Sequence, residues 1–503
     1  WKRGLIPLLN IRLWFNIRDY EYDVYSLIRA FYPGCQIAVW AEGEEAPEGA
    51  WDQRHRVYYE PSAIRYTLEE AGETVLEQRT EFPETENRTE YKNHLKRLVY
   101  RCLSEYTGQK LPWGDLTGIR PVKIPLRLLE EGRTNGEIAA YLRDTYYVSR
   151  EKTALAVATA NRERALLSGT DWLSGYSLYV GVPFCPTICL YCSFGSHPLK
   201  QWGYLMGAYL EALKKELSFI AERMRGRPLH TIYIGGGTPT TLSPEQLREL
   251  LGFLAETFPL DPLREFTVEA GRPDTITREK LQVLREFPVS RISINPQTMN
   301  QKTLDLIGRK HTVEETEAAY VLARELGFDN INMDLIVGLP GEGKQEVAHT
   351  LEEMKRLRPD SLTIHSLALK RATRLNLFKD QYAEISFENS QEIMEMTQRC
   401  AAELGMGPYY LYRQKNMAGN FENVGYSTEG KAGLYNVLIM EEKQSIMAAG
   451  PGASTKFVFE NGTRIERAEN VKDLKQYIER IDEMLERKRE GIRRYLKDSR
   501  TAP

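Results

Sequence analysis

Cys185, Cys189 and Cys192 are crowded into one short stretch with the spacing C-x3-C-x2-C, while Cys35, Cys102 and Cys400 are scattered. Crowded thiols point to metal ligation, because a disulfide framework would spread its pairs along the chain. Three thiolates on one tight loop can bind three corners of an iron–sulfur cubane. The fourth iron then has no protein ligand and can accept a small chelating molecule. Two other readings stay open on the cysteines alone. One is a zinc site of three cysteines completed by His197, although zinc ligands usually arrive as two separated pairs. The other is a redox pair at Cys189 and Cys192, which leaves Cys185 without a role.

A second chemically loaded stretch is Gly235-Gly236-Gly237-Thr238-Pro239-Thr240. Without side chains the backbone can approach a ligand closely. No Lys-Ser/Thr follows, so this is not a phosphate loop; a plain turn is the alternative. Further along come Glu269, Gln297, Arg309, Asp334 and Ala368. Taken singly, each polar residue among them would serve equally well as a surface or capping group.

These residues share one kind of position. Short apolar runs occur at Ser177–Val182, His230–Ile234, Glu265–Ala270, Ser290–Ile294, Ile331–Val337 and Ser361–Leu367. Amphipathic stretches near 203–224, 244–257, 277–286, 313–327 and 343–357 separate them. This rhythm predicts a parallel sheet with helices outside, either an open doubly wound sheet or a partial barrel. In both, reactive groups gather at the carboxyl ends of the strands, and the motifs above sit at or near those ends.

The flanks read differently. Gln36–Trp40 alternates like a strand and is followed by a polar turn at 41–45. Residues 89–107 predict a helix, with Leu95, Leu98, Val99, Cys102, Leu103 and Tyr106 at helical spacing and Gly108 ending it. Cys102 falls on its buried face and reads as structural. Leu111-Pro112-Trp113-Gly114-Asp115-Leu116-Thr117-Gly118-Ile119-Arg120-Pro121 is dense in turn formers, and helices are expected over 125–167. After about residue 375 the pattern turns helical and mixed. Residues 468–499 read as a highly charged, solvated surface helix.

With 503 residues the chain is too long for one ordinary core. Its formal net charge of −3 gives no strong field favouring nucleic acid or an anionic membrane. No apolar run reaches the roughly 18–20 residues that span a bilayer. The opening WKRGLIPLL soon meets charges and does not read as a secretory signal. A cytoplasmic location is expected.

The loop Tyr179-Val180-Gly181-Val182-Pro183-Phe184-Cys185, continued by Cys189 and Cys192, resembles the radical S-adenosylmethionine (SAM) signature, and within that superfamily the oxygen-independent coproporphyrinogen III oxidase family. That family includes a haem-chaperone branch. The long N-terminal extension with its Leu111–Pro121 segment is similar to the HemZ-type coproporphyrinogen dehydrogenases. The core resemblance covers about residues 175–460.

The resemblance implies an α/β fold. Its core is a partial (β/α)6 barrel of TIM type at 171–375, between an N-terminal α/β and helical domain at 1–170 and a C-terminal mixed region at 376–503. It implies a 4Fe–4S cluster on Cys185, Cys189 and Cys192, with SAM on the open iron. Gly236, Gly237 and Thr238 would hold the amino group of SAM, with Glu269 accepting from it. Arg309 would pair with the methionyl carboxylate, and Gln297 and Asp334 would bind the ribose diol. Ala368 would leave room for adenine, with backbone near 450–454 completing the pocket and Tyr179 and Tyr191 flanking the cluster.

The implied reaction is oxidative decarboxylation of coproporphyrinogen III to protoporphyrinogen IX through a 5′-deoxyadenosyl radical, with a flavodoxin or ferredoxin as electron donor. The alternatives are a haem chaperone or a radical SAM enzyme acting on another tetrapyrrole. One position departs from the founding enzyme, which has a further cysteine where this chain has Phe194. Relatives with Phe there include haem-binding chaperones. Lys370, Arg371, Arg374, Arg413 and Lys415 could meet substrate carboxylates, but read as ordinary surface charges. Tyr409, Tyr410 and Tyr412 could line a porphyrin cavity, though a core role fits them better.

Overall fold

A computed structural model describes residues 9–82, 87–193, 195–261, 263–368, 388–414 and 421–501. Phe194, Lys370, Arg371, Arg374 and Lys415 lie outside the described residues. The chain forms two compact units, one up to Ala160 that includes Phe421, the other from Asn161 onward.

In the first unit, alternation in Asn10–Phe15 sends Ile11, Leu13 and Phe15 into the core. That strand sits between Gln36–Ala41 and Gln53–Glu60, parallel to both, and Ala63–Glu70 and Glu73–Glu81 extend the sheet. The helix expected over 89–107 is Arg88–Thr107. The Asn87 side chain accepts from its first free N–H groups, and Gly108 ends it in the left-handed conformation. Leu95, Leu98, Val99, Cys102 and Leu103 are buried against the sheet core. Helices Lys123–Glu130, Asn135–Tyr146 and Arg150–Leu167 fill the expected helical stretch. Gly114 is required by its surroundings, since a Cβ there would stand 1.9 Å from the Tyr146 carbonyl oxygen.

The second unit carries the predicted β-α rhythm. Its strands are β1 (Tyr176–Val182), β2 (Leu229–Gly236), β3 (Glu265–Glu269), β4 (Arg291–Ser293), β5 (Ile331–Val337) and β6 (Ser361–Ser366). They pair in sequence order and in parallel, each joined to the next through helical segments. The apolar residues of these runs are buried, as both faces of such a sheet are covered. A short helix at Gln301–Leu306, not legible from the pattern, follows β4.

The sheet does not stop at six strands. β8 (Asn423–Ser427) adds antiparallel to β6 and β7 (Gly407–Tyr412) antiparallel to β8, and β9 (Ser445–Ala449) lies parallel to the free side of β1. β10 (Ser454–Phe459) and β11 (Arg464–Glu469) follow antiparallel, giving an eleven-stranded sheet in the order β7-β8-β6-β5-β4-β3-β2-β1-β9-β10-β11. Edge strands β7 and β11 do not pair with each other, so the barrel is open. Helix Leu434–Glu441 begins on Glu265 of β3, whose carboxylate accepts from the N–H groups of Leu434 and Tyr435. Its Tyr435 ring then stacks 4.6 Å from Tyr233 of β2.

The solvated helix expected over 468–499 is a correction. The chain there finishes β11, turns through Leu474–Glu479 and enters helix Ile481–Thr501, one side of which is buried. Lys488 is fully buried and donates to Glu216 Oε1 at 2.5 Å. Alternating charge disguised the buried stripe of Met484, Lys488, Ile492 and Tyr495, because a lysine stands in it. Among the described residues no helix is long and apolar enough to cross a membrane.

Candidate active site

Every residue expected to hold the cluster or SAM belongs to the second unit. The loop after β1 carries the three cysteines, and residues after the neighbouring strands hold it. Leu190 N donates to Ile307 O and Thr187 Oγ1 to Gly308 O, which ties the loop to the segment before Arg309. His197 returns the loop to Phe184, pairing with it as a two-residue strand bridge. All six cysteines are free thiols. Cys185 Sγ lies 3.5 Å from Thr238 Oγ1, and Cys192 Sγ lies 3.7 Å from Ser196 Oγ. Burial pushes the Cys185 thiol up, against the hydrogen bonds from Thr238 and Ser196.

Among the described residues, no three or more His, Cys, Asp or Glu side chains are gathered to hold a single metal ion. His197, the fourth ligand of the zinc alternative, instead sets its ring edge-on to Trp202 at 5.0 Å. Thiolates that each take a separate iron need no such convergence. Three thiols on one loop are the donor set that iron–sulfur clusters use.

The glycine segment closes on the protein itself. Gly237 N donates to Val182 O and Thr238 N to Phe184 O, so the end of β2 runs against the backbone entering the cysteine loop. A Cβ on Gly237 would lie 2.5 Å from the Phe184 carbonyl oxygen. The close approach expected toward a ligand is thus made first toward β1. Gly236, at φ +105°, borders the Tyr179 hydroxyl. Tyr179 stacks with Tyr233 and Tyr435 at 6.2 and 6.5 Å.

Glu269 closes β3. Burial lifts its carboxyl to about 7, although the Tyr233 hydroxyl donates to it and opposes the rise. Asp334 of β5 behaves oppositely. Burial pushes it up too, but His365, Asn332 and Thr363 outweigh that and hold it below the usual range. Asn332 Nδ2 donates to Asp334 Oδ1 at 2.7 Å.

Gln297 bridges to β5 through its backbone, and its side-chain oxygen is buried without a hydrogen-bond donor. Its φ of +70° is a left-handed conformation that glycine would adopt more cheaply. Arg309 donates through Nη2 to the carbonyls of Gly271 and Asn295 and through Nη1 to the Tyr191 hydroxyl at 3.2 Å. Its Nε is buried without a partner. Orphaned groups of this kind are rare in folded proteins and suit a ligand. Ala368 lies just past β6 and is half-buried.

The Gly450–Gly452 turn follows β9 beside β1, where a Cβ on Gly450 would reach 2.3 Å from the Gly181 carbonyl oxygen. Glu216 holds it. Its Oε2 accepts from Gly450 N at 2.9 Å and from the Tyr477 hydroxyl, and its Oε1 from Asn470 and Lys488.

Several of these groups escaped sequence reasoning. Tyr233, Asn295, Glu216, Lys488 and Arg272 touch or brace the site residues, and only Arg272, three residues after Glu269 in Gly271-Arg272-Pro273-Asp274, carried a local signal. Arg413 is a correction: it is buried rather than a surface charge, and burial lowers it to about 10. Tyr409 and Tyr410 are core residues, packed with Val437.

Residues 179–354 match the radical SAM superfamily. Over 472 residues the chain is 41% identical to the oxygen-independent coproporphyrinogen-III oxidase-like protein HemZ of Bacillus subtilis, covering 92% of this chain and 93% of that protein. It is 32% identical over 197 residues to the heme chaperone HemW of the same organism, covering 39% of this chain and 52% of the chaperone. A solved structure of coproporphyrinogen III oxidase (HemN) from Escherichia coli aligns with a TM-score of 0.49 at 26% identity, covering 64% of this chain and 72% of that one. The superfamily's cofactors are a 4Fe–4S cluster and SAM. The chain belongs to the radical SAM superfamily and, within it, to the family of HemZ, the oxygen-independent coproporphyrinogen-III oxidase-like proteins.

Proposed function

We propose that this protein is a radical SAM oxidoreductase of haem formation that converts coproporphyrinogen III to protoporphyrinogen IX without oxygen. The observation that carries the reading is likeness to a coproporphyrinogen-III oxidase-like protein along nearly the whole chain, N-terminal unit included. Cys185, Cys189 and Cys192 hold the cluster. Bound together, the cluster and SAM supply one-electron cleavage of the sulfonium and hence a carbon radical that abstracts hydrogen.

The chain's own residues do the positioning. Glu269 accepts from the amino group of SAM, beside the backbone of Gly236, Gly237 and Thr238. Arg309 presents its buried Nε toward the carboxylate. Gln297 and Asp334 take the ribose hydroxyls, Asp334 kept ionised by its hydrogen-bond donors. Ala368 and the Gly450 turn border the adenine. Tyr179 and Tyr191 pack beside the bound cofactor, and the buried walls of the open barrel exclude water. Each of two propionates then gives up one hydrogen atom from its β-carbon, CO₂ and one further electron, leaving a vinyl group. The electron leaves to an acceptor, while a flavodoxin- or ferredoxin-like protein supplies the reducing electron. The location we propose is the cytoplasm, where thiols stay reduced.

A second reading has specific support. The chain shares its core with a heme chaperone, and Phe194 stands where the founding oxidase has a cysteine. One anaerobic experiment separates the two. Reconstituted protein with coproporphyrinogen III, SAM and a reductant yields vinyl products if the first reading holds. Stoichiometric haem binding with no vinyl product would replace it with the chaperone. Formation of 5′-deoxyadenosine with no change in the porphyrin would keep the radical chemistry and remove this substrate.

A further inference from the structure

The cysteine loop is braced by a cation that no step above uses. Arg272 lies three residues beyond Glu269, after β3, with its side chain only 4% exposed. Nε and Nη2 clamp Asp274 as a two-pronged fork at 3.0 and 2.8 Å. That fork fixes the guanidinium plane and turns Nη1 the other way, into the cysteine loop. There Nη1 donates to Thr187 Oγ1 at 3.1 Å, points at the Thr187 carbonyl at 3.4 Å, and stands 3.9 Å from Cys189 Sγ. The Arg272 backbone is held as well, its carbonyl accepting from the N–H and hydroxyl of Thr275.

Arg309 acts on Cys189 electrostatically from the Tyr191 side, and Asp274 offsets part of the charge of Arg272. His311 is fully buried with both ring nitrogens unpartnered, and burial and the two arginines hold it neutral. Cys189, itself buried, thus has one guanidinium N–H of Arg272 beside its sulfur and feels the positive charge of Arg309.

We propose that Arg272 is a positioning residue that raises the reduction potential of the cluster from its Cys189 corner. Reduction adds one electron and makes or breaks no bond at Arg272. The added negative charge spreads onto the thiolate sulfurs. An N–H donor and a cation beside one of them stabilise the reduced state more than the oxidised state. Thr187 serves the same end by holding the loop so that Cys189 meets Nη1. Asp274 limits the effect by sharing the charge. The inference rests on the cluster assignment of the preceding section.

The test is a mediated dithionite titration of reconstituted protein without SAM, read by EPR of the reduced cluster. Arg272→Met removes donors and charge, so its midpoint should fall by at least a tenfold change in the oxidised-to-reduced ratio, which is 59 mV for one electron. Asp274→Asn keeps an acceptor for the fork but removes the offsetting anion, so its midpoint should rise. A loosened loop would not move the two variants in opposite directions. Shifts of the same sign, or no shift in Arg272→Met with iron and sulfide content equal to wild type, overturn the proposal. If Arg272→Met does not retain the cluster, Asp274→Asn decides alone: a rise supports the proposal and anything else refutes it. Failure of the underlying assignment would show earlier, as wild-type protein that forms no 4Fe–4S cluster at all.

Discussion

Glu269 offers the sharpest test of the SAM cradle because its carboxyl sits near neutrality. Burial raises it to about 7 from an ordinary 4.5. The folded protein without ligand therefore holds a proton that the unfolded chain releases. By linkage, that unliganded fold gains stability as pH falls from above 7 toward 4.5. Binding runs the other way. An amino group made donor-rich by a proton or by iron prefers the ionised acceptor. With a midpoint near 7, Glu269 is ionised in about nine molecules in ten at pH 8 and about one in ten at pH 6.

If binding needs the ionised form, affinity for SAM should fall about tenfold across that interval, about 1.4 kcal/mol, from this group alone. The assay is equilibrium dialysis of SAM against oxidised, reconstituted protein at pH 6, 7 and 8. The amino group of SAM contributes its own pH dependence, so Glu269→Gln, which cannot titrate, supplies the baseline. Wild type should show a steeper rise with pH than the variant. Tyr233→Phe removes the hydroxyl that opposes the rise in Glu269, and should move the wild-type transition to higher pH. Equal slopes in wild type and Glu269→Gln would refute the placement of Glu269 against the amino group.

Other outcomes follow from named contacts. Cys185→Ala should abolish both the cluster absorbance and SAM cleavage, and retained cleavage would contradict the ligand assignment. Gly237→Ala places a Cβ against the Phe184 carbonyl; by analogy with overpacked cores it should cost about 1–3 kcal/mol in denaturant unfolding and lower the iron content. Lys488→Met leaves Glu216 charged and unpaired in the interior, at a cost of about 3–5 kcal/mol. Adding Glu216→Gln to it should recover part of the loss, and a melting experiment on the three proteins checks both.

The amino-acid sequence determined the parts of this protein that depend on local pattern. Runs of β-branched and apolar residues bounded by turn formers specify strands β1 to β6, and helical periodicity specifies the segments between them. The cysteine spacing specifies a three-thiol loop, because ligands that must share one cluster have to be close along a tight turn. Glu269 stands out because it ends a strand and Gln297 because it follows one, where open α/β sheets and barrels place their chemistry; Arg309, beyond a helix, and Asp334, inside β5, stand out only through a spacing that resembles the family pattern.

Only the tertiary structure decided what long-range contact controls. Strand β9 joins β1 across most of the unit, and no local period announces a partner so distant in sequence. Lys488 reads as solvent-facing from its charge, yet it is buried because Glu216, far away along the chain, compensates it. Arg413 was misread for the same reason, since burial of a cation depends on neighbours rather than on its own type. The direction of a guanidinium is likewise invisible in sequence. Arg272 turns Nη1 toward Cys189 because Asp274 holds its other edge, and that geometry exists only once β3 and the cysteine loop have been brought side by side.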